Sequence, residues 1–245
     1  MRKPLVIANW KMNGSRLSLA TLASELKVGL AGLAGVEVAL CPPHVFVPQL
    51  AEQLAGTAIA LGAQDLSADE RGAHTGDIAG EMLKEFGCRY VLVGHSERRA
   101  SHGESDVLVA KKAQRAIASG LVPVVCIGET LAEREQGKTP AVVKAQLDAV
   151  LKAVSADAEL VIAYEPVWAI GTGKTATAAQ AQEVHRAIRE QLSARGTTTR
   201  VIYGGSVKAE NAKKLFSQAD VDGGLVGNAS LDANSFAAIS LAAVK

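Results

Sequence analysis

The sequence predicts a closed (β/α)₈ barrel, on three observations. Eight short apolar runs, rich in β-branched residues, recur along the 245 residues. Their C-terminal ends lie on average about 31 residues apart, the size of a strand–helix–strand unit. Between them stand segments whose apolar residues step by three and four, and no low-complexity stretch or Pro/Ser-rich linker breaks the series. Eight such units favour a barrel over an open doubly wound sheet, which usually has fewer strands. The expectation is one barrel domain spanning residues 1–245.

The first run, Leu5–Ala8, is followed by Leu19, Leu22, Leu26, Leu30 and Leu33 at helical spacing. Val36–Leu40, Ala58–Ala63, Tyr90–Val93 and Val122–Ile127 come next, mostly without polar alternation, as in parallel strands covered on both faces. Thr139-Pro140 reads as an N-cap and a first-turn proline opening a helix through Val143, Leu147, Val150, Leu151 and Val154. After Leu160–Tyr164, Thr177 caps a helix carrying Ala181, Val184, Ile188 and Leu192, with its end marked by Arg195-Gly196. Val201–Tyr203 and the short, weak Leu225–Val226 complete the eight.

Composition excludes several classes. The net charge is +1 and aromatics make up 4%, which argues against nucleic acid or an anionic membrane as the main partner. Cys41, Cys88 and Cys126 are odd in number and lack C-x-x-C spacing, so a disulfide framework is not expected and a reducing compartment fits. Cys126, within the fifth run, reads as a small core residue. The apolar stretch near the start is too short for a signal-peptide core, and no 18 consecutive residues are apolar. The expectation is a soluble, cytoplasmic protein in which Asn13-Gly14-Ser15 and Asn228-Ala229-Ser230 carry no glycan.

In a barrel, chemistry sits on the loops that follow the strands. Asn9-Trp10-Lys11 follows the first run, Gln64-Asp65 the third, Gly94-His95-Ser96-Glu97 the fourth and Glu165 the sixth. Glu165 lies between Tyr164 and Pro166-Val167-Trp168, and desolvation in such company would make it hold a proton more tightly, as suits a general base. A rim carboxylate paired with Arg or Lys is an equal reading. His95 can polarise a substrate oxygen or relay a proton, or merely hydrogen-bond at a helix start. Lys11 offers a cation to a substrate anion or developing oxyanion, or is only solvated. His44, His74, His102 and His185 read as surface or interface residues.

Ala169-Ile170-Gly171-Thr172-Gly173-Lys174-Thr175 imitates a nucleotide-binding loop, but the first required glycine is replaced by Trp168. A dinucleotide loop fails too, since no strand ends in an acidic residue about 20 positions later. A glycine-rich lid over the site is the better reading. Gly204-Gly205-Ser206 and Gly227-Asn228 follow the last two runs, where barrels frequently hold phosphate, although tight turns needing positive φ are the alternative.

Four motifs then carry a specific likeness. Asn9-Trp10-Lys11-Met12-Asn13, Gly94-His95-Ser96-Glu97-Arg98-Arg99, Ala163-Tyr164-Glu165-Pro166-Val167-Trp168-Ala169-Ile170-Gly171-Thr172-Gly173 and Tyr203-Gly204-Gly205-Ser206-Val207 resemble triosephosphate isomerases, in order and from the first strand to the last helix. The resemblance implies interconversion of dihydroxyacetone phosphate and glyceraldehyde 3-phosphate with no metal or organic cofactor. It implies Glu165 as base and neutral His95 as electrophile and proton shuttle, with Lys11 and Asn9 completing the electrostatic cradle. Glu97 would hold Lys11, and Ser96 would hold Glu165 while the lid is open. Gly171, Ser206, Gly227 and Asn228 would offer N–H groups to the phosphate, and Ile170 and Leu225 would clamp the base.

The resemblance further implies a homodimer in which Thr75, on the loop from Gln64 to Asp77, inserts into the partner. His74, Asp77 and Ala79 depart from the family's aromatic, Glu and Ser, and Asn228 replaces its second phosphate-site glycine, a change that tolerance of left-handed backbone would accommodate. Two other functions compete. A Schiff-base aldolase would need a neutral Lys11, and a barrel that only binds sugar phosphates or acts as a surface adhesin would let the chemical groups drift.

Overall fold

The computed structural model describes residues 2–170, 175–195 and 198–244. Eight parallel strands form one closed barrel in sequence order. They are β1 (Leu5–Asn9), β2 (Glu37–Cys41), β3 (Ala60–Ala63), β4 (Cys88–Val93), β5 (Val122–Ile127), β6 (Val161–Tyr164), β7 (Arg200–Tyr203) and β8 (Gly223–Val226). β8 pairs with β1 from Gly223 opposite Leu5 to Val226 opposite Ala8, and this closes the ring. Every expected run contains a strand, although Val36, Ala58, Ile59 and Leu160 fall outside theirs. No helix among the described residues is long and apolar enough to cross a membrane.

Three strands begin earlier than their apolar runs, β7 by one residue at Arg200 and the other two by two residues. β4 takes in Cys88 and the exposed Arg89, and β8 takes in Gly223 and Gly224. A Cβ at Gly223, whose φ is +128°, would stand 2.0 Å from the Leu5 carbonyl oxygen. Glycine, normally a poor strand residue, is what lets the last strand close against the first.

The helices relevant to the site are α1 (Arg16–Gly29), α2 (Val47–Leu54), α3 (Gly80–Glu85), α4 (Ser96–His102), α5 (Asp106–Ala118), α6 (Leu131–Glu135), α7 (Thr139–Ala153), α8 (Ala178–Gln191), α9 (Ala209–Phe216) and α10 (Ala233–Ala242). Thr177 caps α8 as expected, its side chain accepting the Gln180 N–H at 3.2 Å. Thr139 does not cap α7. Lys138 holds that place and Thr139 is the first helical residue, with Pro140 still in the first turn. α8 ends at Gln191 and a 3₁₀ turn follows at Ser193–Arg195, short of the expected end, while Gly196 lies outside the described residues.

Side chains divide by the pleat. Leu5, Ile7, Ala39, Tyr90, Leu92, Val124, Cys126 and Ile202 fill the barrel interior. Their neighbours Val6, Ala8, Leu40, Val91, Val93 and Val125 pack outward against Leu22, Leu26, Val109, Leu147 and Ile188 of the helices. Burying each large aliphatic side chain contributes about 1.5–3 kcal/mol. Cys126 is fully buried and is a core residue as expected. His185 overturns its surface assignment. It is wholly buried on α8 between the rings of Tyr164 and Tyr203, with Nδ1 3.2 Å from the Asp220 carbonyl oxygen.

Candidate active site

One cavity of about 240 Å³ opens where the strands end. Asn9, Lys11, His95 and Glu165 line one side, and Ser206, Gly227 and Asn228 line the other, with Ile170 and Leu225 contributing apolar surface. Side chains as far apart in sequence as Asn9 and Asn228 therefore share a single small space.

Glu165 follows β6 directly and is 1% exposed. Its Oε2 accepts the backbone N–H of Ser96 at 2.8 Å. Its Oε1 lies 2.9 Å from His95 Nε2, yet it has no aligned hydrogen-bond donor. No Lys or Arg among the described residues pairs with it, which removes the rim ion-pair reading. Two glycines enclose it. A Cβ at Gly128 would stand 1.7 Å from the Glu165 carbonyl oxygen, and one at Gly204 would stand 2.8 Å from its Cγ.

His95 follows β4 and caps α4, so its hydrogen bond at the helix start is present as read. Nδ1 accepts the Glu97 N–H at 3.2 Å, which leaves Nε2 to carry the proton of a neutral ring and to face Glu165. Burial, the largest single influence, lowers the imidazole pKa. The charge and contact of Glu165, with Glu97 behind, outweigh it and leave the value above the ordinary range.

Lys11 is the one non-glycine among the described residues with a positive φ, at 50°. Its strained backbone is fixed from two sides, by the Gln64 side-chain amide donating to its carbonyl at 2.9 Å and by Asn9 Oδ1 accepting its N–H at 3.1 Å. The Lys11 ammonium pairs with Glu97, as expected. Two orienting groups thus aim one cation.

The far wall is built differently. None of Gly204, Gly205 and Gly227 has a positive φ, so the tight-turn reading fails. Gly204 and Gly205 are there for space, since a Cβ at Gly205 would meet the Tyr203 hydroxyl at 2.3 Å, whereas one at Gly227 would make only ordinary contact with Lys11 Cε at 3.4 Å. Asn228 needs no left-handed backbone either. It opens a 3₁₀ turn, Asn228–Leu231, whose leading N–H groups have no partner inside the turn and suit an anion. Ser206 Oγ donates to the Ala169 carbonyl at 2.8 Å, tying this wall to the base of the glycine-rich segment. Gly171, with the rest of 171–174, lies outside the described residues.

Other contributors showed in the sequence only by their place after a strand, with no role assigned to them. Glu129 is fully buried and gathers Tyr164, Trp168 and Arg134, with the Trp168 Nε1–H donating at 2.9 Å and the Arg134 guanidinium 4.5 Å over the indole ring. Burial and then the Glu129 charge push the Tyr164 phenol far up, so it remains a donor. Gln64 was visible only as a strand-end residue. The loop between β3 and α3 carries Thr75 and His74 exposed, with no helix before Gly80, in line with its expected lack of helical pattern. No group of three or more His, Cys, Asp or Glu among the described residues could hold a metal ion.

A sequence model of triosephosphate isomerase matches residues 4–243. The chain is 57% identical over 243 residues to triosephosphate isomerase of Albidiferax ferrireducens, covering 98% of each. It is 56% identical over 245 residues to that of Cupriavidus taiwanensis, covering 98% of this chain and 99% of the relative. With that of Dechloromonas aromatica it shares 55% over 251 residues, covering 99% of this chain and the whole relative.

Proposed function

The chain belongs to the triosephosphate isomerase family, and from that premise we propose how its residues divide the reaction. The protein is an isomerase of glycolysis, interconverting dihydroxyacetone phosphate and D-glyceraldehyde 3-phosphate. The whole 245-residue chain acts as one catalytic domain.

Glu165 takes a proton from the carbon beside the carbonyl, and that C–H electron pair forms the enediolate double bond. His95, neutral and protonated at Nε2, donates to the oxygen that gains charge, then moves a proton between the two oxygens. Protonated Glu165 returns its proton to the neighbouring carbon. Substrate lying between His95 and Glu165 separates them and removes the pull that raises the imidazole pKa in the empty site. Lys11 and Asn9 meet the developing oxyanion, with Glu97 holding Lys11 and Ser96 holding Glu165 before substrate enters. Ser206, Gly227, Asn228 and Gly171 take the phosphate, whose binding energy orients the reacting carbons and favours closure. Ile170 and Leu225 then exclude water from the base.

The observation that carries this reading is that Glu165 lines the cavity while its Oε1, 2.9 Å from His95 Nε2, has no aligned donor. A coupled assay of purified protein tests it. Glu165→Gln should lower kcat by about 10³-fold at nearly unchanged KM. Undiminished turnover in that variant would remove Glu165 as base, and a borohydride-trapped adduct at Lys11 would favour the aldolase instead.

A cytoplasmic homodimer completes the proposal. Met12 is 96% exposed beside a second cavity of about 280 Å³, bordered by Lys11, Gln64, His95 and Glu97. Such an opening suits an inserted loop bearing Thr75 and His74 from a second copy. Free, buried Cys41, Cys88 and Cys126 suit a reducing compartment.

A further inference from the structure

Gln146 sits on α7, behind the barrel and outside the cavity. Its side-chain amide nevertheless makes two hydrogen bonds to a single residue, Gly128. Oε1 accepts the Gly128 N–H at 2.7 Å, and Nε2 donates to the Gly128 carbonyl at 3.2 Å. Gly128 is the first residue past β5, where the strand ladder stops serving the backbone. The glutamine replaces the missing strand neighbour with a bidentate lock.

The locked peptide is the one packed most tightly against Glu165. A Cβ on Gly128 would stand 1.7 Å from the Glu165 carbonyl oxygen, so the two backbones touch with no side chain between. The next contacts run the same way, with the Glu165 N–H donating to Ile127 at 2.7 Å and the Val167 N–H donating to Glu129 at 3.2 Å. On its other side Glu165 meets Gly204. With glycine on both sides, neighbouring backbone closes directly on Glu165, so a shift of the Gly128 peptide passes to it with no side chain between to absorb it. We propose that Gln146 is a positioning residue for proton transfer, acting through the Gly128 peptide on the placement of the Glu165 carboxylate.

The proposal rests on Glu165 being the base, and its test separates the two. Gln146→Met keeps length and volume but loses both hydrogen bonds. Its kcat should fall about tenfold or more, since small misplacement of a reacting group is costly, while KM and competitive inhibition by inorganic phosphate stay within about twofold. Gln146→Glu still accepts the Gly128 N–H and should lose only about two- to fivefold in kcat. A primary deuterium isotope effect on kcat should be larger in the Met variant than in the native protein. The proposal is overturned if the Met variant keeps native kcat, if KM or phosphate inhibition shifts instead, or if the Glu variant is as slow as Met. Should Met fail to fold, the Glu variant decides, since unchanged kcat or raised KM there overturns it. Glu165→Gln assayed alongside tests the base independently of Gln146.

Discussion

The two sides of the catalytic cavity are made of different materials. On the side of β1, β4 and β6, the proposed reaction falls to side-chain atoms: the Lys11 ammonium, the His95 ring and the Glu165 carboxylate, each aimed by a named partner. On the side of β7 and β8 the proposal assigns it to backbone N–H groups, beside room left by Gly204 and Gly205. On this proposal, deleting atoms should disable the first side, whereas adding atoms should disable the second. Alanine scanning would therefore see one half of this site and miss most of the other.

The largest effect is expected at the seam, where His185 packs against Tyr164 of β6 and Tyr203 of β7. Desolvation, the dominant cause, pushes its pKa down to about 4 from 6.5. Between those values the unfolded chain binds a proton that the folded protein refuses. Stability is therefore complete above pH 6.5 and falls as pH drops toward 4, by roughly 3 kcal/mol at the limit. Urea unfolding across that range should show the slope, and His185→Gln should flatten it. An equal slope in both proteins would assign the acid sensitivity elsewhere.

Gly204→Ala carries the comparison across the cavity, because its methyl would reach Glu165 Cγ at 2.8 Å and the Tyr164 carbonyl oxygen at 3.2 Å. A small addition to the backbone side should thus damage the side-chain side. We expect kcat about 10²-fold lower with KM little changed. Steady-state kinetics in which KM rises instead would show that Gly204 serves the phosphate and not the base.

The smallest effect is expected at Ser206, the side chain that β7's loop does use. Ser206→Ala loses the hydrogen bond to Ala169 and a donor in the cavity, about 1 kcal/mol, seen as a KM about fivefold higher at unchanged kcat. A loss confined to kcat would count against the division of labour.

Which features the sequence revealed follows from the same contrast. Lys11, His95 and Glu165 were legible because each stands directly after an apolar run, and a barrel sends all such positions to one rim. Gln146 was not, because a polar residue on a helix looks solvated until its partner is known, and Gln64 and Glu129, although they too follow apolar runs, belonged to no chemistry that gave them a role. Gln64 and Lys11 are 53 residues apart, and Gln146 and Gly128 are 18 apart. β8 began two residues early because the need for Gly223 arises from Leu5 at the other end of the chain. His185 was misread although it lies on the face of Ala181, Val184 and Ile188, where a histidine among apolar helical neighbours signals burial.

The pairing of β8 with β1 has an engineering meaning. In a ring, no strand is topologically first, and the point at which ribosomal synthesis starts is a historical choice. Joining the present termini and reopening the chain at the exposed turn around Gly137 would reorder the gene while leaving each strand's neighbours as they are. Such a permuted gene would place the base ahead of the lysine in translation order yet return both to the same mouth.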